Sequence, residues 1–94
     1  MDTNSPKVET RLLITNSMGL HARPAMAFVD IANSFTSDIR VAKGQQQVDG
    51  KSIMQMMMLG AVQGTELDLI VQGPDSEAAA AALRELVDRQ FDEK

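Results

Sequence analysis

The sequence predicts an α+β open-faced sandwich, a four-stranded sheet with three helices on one face, in the order β-α-β-β-α-β-α. Two patterns point to it. Some segments alternate apolar and polar side chains, as a sheet covered on one face requires, and the segments between them repeat apolar residues at three- and four-residue spacing. The 94 residues suffice for one compact domain and are too few for two.

Residues 1–7 are expected to form a flexible lead, followed by a single domain over residues 8–94. From Val8 to Asn16 the alternation predicts a strand, with Val8, Leu12 and Ile14 on one face and Glu9 and Arg11 on the other. Thr10 is the odd member of the inward set. Ser17-Met18-Gly19 turns the chain, and the first helix is expected to begin near His21. Pro24 falls in its opening turn, where a missing amide proton is tolerated. Ala25, Phe28, Val29, Ala32 and Phe35 then make one apolar face. Ile39 and Val41 mark the second strand. Gly44 and the glutamines beside it allow a turn into a short third strand, 46–49, with Val48 inward.

Ser52 is a preferred N-cap for the second helix, and Gly60 is placed to stop it. Within this helix Ile53, Met56 and Met57 are expected to share the buried side, leaving Met54 and Met58 outward. Gly64 opens the next turn. Leu67, Leu69 and Val71 alternate with Glu66, Asp68 and Ile70, a fourth strand with an imperfect polar face. Gly73-Pro74-Asp75 ends it, with Asp75 expected to cap a last helix. The buried stripe of that helix is Ala79, Leu83, Leu86, Val87 and Phe91, and the alanine run 78–82 suits close helix–sheet packing.

Composition narrows the function. At 44% hydrophobic but 3% aromatic, the core must be aliphatic, which disfavours a deep aromatic cage for a large cofactor. A net charge of -4 argues against a nucleic-acid partner, since binding to a phosphate backbone needs clustered Lys and Arg. Without cysteine there are no disulfides, thiolate ligands or cysteine nucleophiles, and with one histidine an all-protein His/Cys zinc site cannot be built. No metal or cofactor is expected. No apolar run approaches the ~20 residues that span a bilayer. The polar start, Met1-Asp2-Thr3-Asn4-Ser5-Pro6, lacks the apolar stretch of a signal peptide. A cytoplasmic monomer with no membrane insertion is the expectation.

The stretch Gly19-Leu20-His21-Ala22-Arg23-Pro24-Ala25 carries the chemistry. An imidazole stands where a helix starts, with an arginine two residues later. Helix N-termini offer free amide protons and a partial positive charge, worth ~0.3–1 kcal/mol toward an anion and up to ~2 when partly buried. The same field disfavours a cation at that place and is expected to favour a nucleophilic imidazole. On chemistry alone two readings stand: a phosphate-accepting imidazole beside a phosphate-solvating Arg23, or an exposed cap beside a solvated surface charge.

The heptapeptide resembles the active-site motif of the histidine-containing phosphocarrier family, HPr, of the bacterial sugar phosphotransferase system. The resemblance runs from about Val8 to Phe91. It takes in Asn16, the seven residues 19–25, Phe28-Val29, Phe35, the block Lys51-Ser52-Ile53-Met54, Leu59-Gly60, Gly64 and Gly73. It implies an antiparallel sheet and phosphorylation of His21 on Nδ1 by enzyme I, which draws on phosphoenolpyruvate. It further implies phosphate stabilisation by Arg23, and transfer to an acceptor domain of a sugar permease or to a regulatory protein. The chain would then be a phosphoryl-transfer protein with a phosphohistidine intermediate rather than a free-standing enzyme. No Ser-His-Asp spacing or glycine-rich nucleotide loop supports a free-standing hydrolase or transferase.

In one branch of this family a serine at the position of Ser52 is phosphorylated by an HPr kinase/phosphorylase, and Lys51-Ser52-Ile53-Met54 resembles that branch. A structural cap is the other reading of Ser52. Ala22, Ile53, Met54 and Met57 are the residues expected to meet a docking partner, with outward methionines supplying an adaptable apolar patch. The start of the second helix is expected beside the start of the first, on one docking face. Arg23 and Lys51 are the only cations near the motif, so steering toward an acidic enzyme I should be weak. The Gly73-Pro74 pair and the Phe91-Asp92-Glu93 ending resemble a nitrogen-related subfamily. The alternative function is a regulatory adaptor acting through phospho-Ser52.

Overall fold

The alternating segments become a sheet whose two faces differ in character. The computed structural model describes residues 6–93, in which the strands are β1 (Lys7–Leu13), β2 (Asp38–Lys43), β3 (Gln46–Asp49) and β4 (Glu66–Gln72), and the helices α1 (Ala22–Ala32), α2 (Ile53–Met58) and α3 (Ser76–Asp88). One 3-10 turn, Gln90–Asp92, follows α3. The strand order is β1-β4-β2-β3 and every neighbouring pair is antiparallel. This is the expected open-faced sandwich.

Register explains the core. Leu12 lies opposite Leu67, Val8 and Ile39 both opposite Val71, and Val41 opposite both Leu69 and Val48. These side chains form one apolar layer with Phe28 of α1, Met56 of α2 and Leu83 of α3. Burying a side chain of that size contributes about 1.5–3 kcal/mol. The opposite face is polar, with Arg11 bonded to Asp68 at 3.2 Å and to Glu66 at 3.3 Å. Thr10 sits on the core side yet is satisfied, because its hydroxyl accepts a hydrogen bond from Arg84 of α3 at 2.9 Å. β1 begins one residue before the expected strand: Lys7 pairs with Gln72, and Pro6 O accepts from Gly73 N at 2.9 Å. Residues 1–5 of the expected lead lie outside the described residues.

Four expectations need correction. Met57 is not inward. In a six-residue helix the stripe Ile53, Met56, Leu59 sets the buried side, and Met57 lies about 100° round from Met56. Met54, Met57 and Met58 are therefore all exposed, while Met56 is fully buried. Phe91 is buried but does not belong to α3, which ends at Asp88 with Arg89 as its cap; Phe91 packs inward from the turn that follows.

Third, the start of α2 does not lie beside the start of α1. Asn33 Nδ2 donates to Lys51 O at 3.2 Å and Lys51 Nζ to Phe35 O at 2.7 Å, which puts the beginning of α2 beside the end of α1. Leu20 N donates to Ala61 O at 2.8 Å, so the chain leaving α2 returns to the beginning of α1. The two helices run in opposite senses.

Fourth, Asp75 precedes α3 without capping it through its side chain. Its carboxylate accepts instead from the hydroxyl of Ser37, from Thr36 N and Ser37 N, both at 2.9 Å, and from the hydroxyl of Thr36. These donors, the Ser37 hydroxyl foremost, hold the Asp75 carboxyl down from its ordinary 3.8 to about 2. A depressed carboxyl gives stability that is fully present above its unfolded value and lost as pH falls through the folded one. Asp75→Asn should therefore melt below wild type at neutral pH, with the gap closing between about pH 4 and pH 2. Thermal melts across that range check this, and a gap independent of pH would show that the charge of Asp75 contributes nothing.

Candidate functional site

His21 is the N-cap of α1. Its backbone is extended, its carbonyl accepts from Ala25 N at 3.0 Å, and its side chain makes no capping bond. Pro24 has no amide, so Ala22 and Arg23 supply the first N–H groups of this helix end, and neither donates to a backbone carbonyl among the described residues. The approach to His21 is fixed by a turn in which Gly19 N donates to Asn16 O at 3.1 Å. Leu20, buried and bonded to Ala61, then anchors the residue just before the histidine.

The imidazole does not stand alone. Its Nε2 lies 2.9 Å from Glu93 Oε2 and 3.0 Å from Oε1. Asn16 Nδ2 donates to the same carboxylate at 3.1 Å and to Gly19 O at 2.7 Å. The side chain of His21 is 36% exposed and that of Glu93 17%. Met18, His21, Ala22, Arg23, Asp92 and Glu93 line a shallow groove here. Arg23 is exposed, and among the described residues its side chain enters no ion pair. It is therefore available to an anion arriving at His21.

The structure brings His21, Ala22 and Arg23 together and sets the other expected residues apart. Ser52 caps α2 by accepting from Gln55 N at 3.2 Å, and it stands toward the far end of α1. Ile53 is half-buried, Met54 and Met57 exposed. Glu93 was not among the residues singled out. It is 72 positions from His21, and no local spacing or periodicity connects the two. Asn16 is named in the sequence only as the end of the expected first strand and within the resemblance, with no chemical role. Among the described residues no three metal-binding side chains converge, and no helix is long and apolar enough to cross a membrane.

Residues 8–89 match the family model of the PTS HPr component phosphorylation site. The chain is 45% identical over 83 residues to the phosphocarrier protein HPr of Pseudomonas aeruginosa, covering 87% of this chain and 92% of that protein. It is also 45% identical over 84 residues to the HPr-like protein Crh of Bacillus subtilis, covering 89% and 94%. Among solved structures, HPr of Thermoanaerobacter tengcongensis superposes with a TM-score of 0.89 at 44% identity, covering 93% of this chain and 98% of that one.

Proposed function

This chain belongs to the HPr phosphocarrier family of the phosphotransferase system, and on that premise we propose that it accepts a phosphoryl group from enzyme I on His21 and passes it to an acceptor protein. The observation that carries this reading is the half-open imidazole at the start of α1, beside the first amides of the helix and an Arg23 side chain that enters no ion pair among the described residues. Phosphoryl transfer asks little covalent chemistry of a protein; it needs an aligned nucleophile and fixed donors for the equatorial oxygens. The imidazole at the groove supports the first role and the helix-end amides with Arg23 the second, and the acceptor would be a sugar-permease domain or a regulatory protein. Incubation with enzyme I and phosphoenolpyruvate, followed by mapping of an acid-labile, base-stable phosphate, is the test. Label on a hydroxyl, or no label, overturns the reading.

Ser52 is the proposed regulatory site, modified by an HPr kinase/phosphorylase. Its place modifies how such a phosphate would act. α1 is about 16 Å long, beyond the ~8 Å over which exposed charges act at physiological salt. A phosphate on Ser52 would work on a partner docked over Ile53, Met54 and Met57 rather than on His21 itself. Ser52→Asp should keep the melting temperature, because Asp caps as well as Ser, and slow the charging of His21 severalfold. Ser52→Ala should lose ~0.5–2 kcal/mol of stability and leave charging nearly intact. Failure of HPr kinase and ATP to modify Ser52, with Ser52→Asp charged at the wild-type rate, would leave Ser52 a cap only.

The alternative, a regulatory adaptor working through phospho-Ser52, is favoured by one observation. Lys51 is tied to Phe35 O, which removes one of the two cations that could steer an acidic enzyme I. Turnover of label on His21 distinguishes the two readings.

A further inference from the structure

We propose that Glu93 is the positioning residue of His21, its carboxylate taking the Nε2–H hydrogen bond so that Nδ1 alone presents a lone pair to the phosphoryl donor. This rests on the reading of His21 as the phosphoryl acceptor. A carboxylate can only accept, so an Nε2 at 2.9 Å from Glu93 Oε2 is the protonated nitrogen of the ring. The other nitrogen, Nδ1, is then the nucleophile.

The carboxylate is itself held. Asn16 is 1% exposed and spends both protons of its amide nitrogen, one on Glu93 Oε1 and one on Gly19 O. Among the described residues its buried Oδ1 meets no donor. The chain also bends out of its way to deliver Glu93. Gln90, Phe91 and Asp92 all have positive φ, near 60°, without a glycine among them, a conformation that costs L-residues about 1–2 kcal/mol each. Burial of Phe91 and the bond from Arg89 to Asp92 at 3.1 Å hold the turn, and Glu93 leaves it pointing at the ring. Strain of this kind gathers where a group must be held in place.

In the transfer step the Nδ1 lone pair forms the new N–P bond. The donor's bond to phosphorus breaks, and its electron pair returns to the donor atom. The Nε2 proton stays where it is, so the ring becomes cationic, and that charge develops against the Glu93 carboxylate. The contact is thus stronger in the phosphorylated state than before it, the condition for favouring transfer rather than mere binding. On discharge the acceptor attacks phosphorus and the N–P pair returns to Nδ1.

Three variants test this. Glu93→Gln keeps an acceptor oxygen without the charge, Glu93→Ala removes both, and Asn16→Ala frees the carboxylate. With no enzyme present, potassium phosphoramidate should phosphorylate wild type at Nδ1 alone, a single isomer by phosphorus NMR. Glu93→Ala should give a mixture that includes the Nε2 isomer, Glu93→Gln should keep the wild-type isomer, and Asn16→Ala should fall between. With enzyme I, charging should slow by roughly tenfold in Glu93→Gln and more in Glu93→Ala. The same isomer pattern in wild type and Glu93→Ala overturns the proposal. Because the chemical arm needs no enzyme I, an isomer shift without any enzymatic charging would leave the role of Glu93 standing and sink the carrier reading instead.

Discussion

His21→Ala is expected to take no phosphate from enzyme I and phosphoenolpyruvate, with label at background, while melting within a few degrees of wild type. The fold should survive because the histidine side chain caps nothing: the bond that closes the first turn of α1 is made by its backbone carbonyl. What is lost is the Nε2 contact with Glu93, whose carboxylate keeps Asn16 as a donor and can turn to water. Such a change is worth about 0.5–1.5 kcal/mol. Loss of function with the fold retained separates a chemical role from a structural one. A variant at Arg23 grades the effect. If its guanidinium solvates the phosphoryl oxygens only as transfer proceeds, Arg23→Ala should charge roughly ten- to a hundredfold more slowly. Lysine there should restore part of the rate, since a point charge lacks the guanidinium fork. Label that persists in His21→Ala would end the assignment of His21.

How much of this was legible in the residues depends on the range of the forces involved. Leu67, Leu69 and Val71 alternate over a few positions, and that periodicity is enough to orient β4. Ser52 and Gly60 bound α2 through local chemistry, a side-chain oxygen on Gln55 N and a positive φ. Local rules fail where a distant partner competes. Asp75 has the composition of a cap, but the donors of Thr36 and Ser37, brought in by β2, outbid the first turn of α3 for its carboxylate. Met57 fails for want of length, since six helical residues hold too few apolar positions to fix the phase of a stripe. The opposite sense of α1 and α2 follows from strand order, which no single segment encodes. In the site, the seven residues 19–25 hold the proposed nucleophile and cation, whereas Glu93 reaches His21 only after the whole sheet and a left-handed turn are in place.

That turn-built geometry also depends on the residue two positions before His21. Gly19→Ala should cost about 2–4 kcal/mol, lowering the melting temperature by roughly 10–25 °C for a domain of this size. Two terms contribute. Gly19 has φ +67°, a conformation an alanine adopts only under strain, and a Cβ there would lie 2.5 Å from Ala61 O and 2.8 Å from Val62 Cα. Both obstacles are backbone and cannot rotate aside. Relief would require the loop to lift, which breaks the bond from Leu20 N to Ala61 O and shifts the Gly19 carbonyl that Asn16 holds. Asn16 is also the donor to Glu93, so the displacement should carry through to the imidazole and slow charging as well. Gly60→Ala is the matched control, with φ +59° and nothing within 4 Å of the added carbon. It shares the backbone strain and the loss of unfolded-state freedom, but lacks the collision, so it should cost only about 1 kcal/mol. The difference between the two melts therefore measures the close approach of the two loops alone. Equal losses in the two variants would mean that the loop before His21 yields freely, and that the fixed position of the imidazole does not come from its packing against Ala61 and Val62.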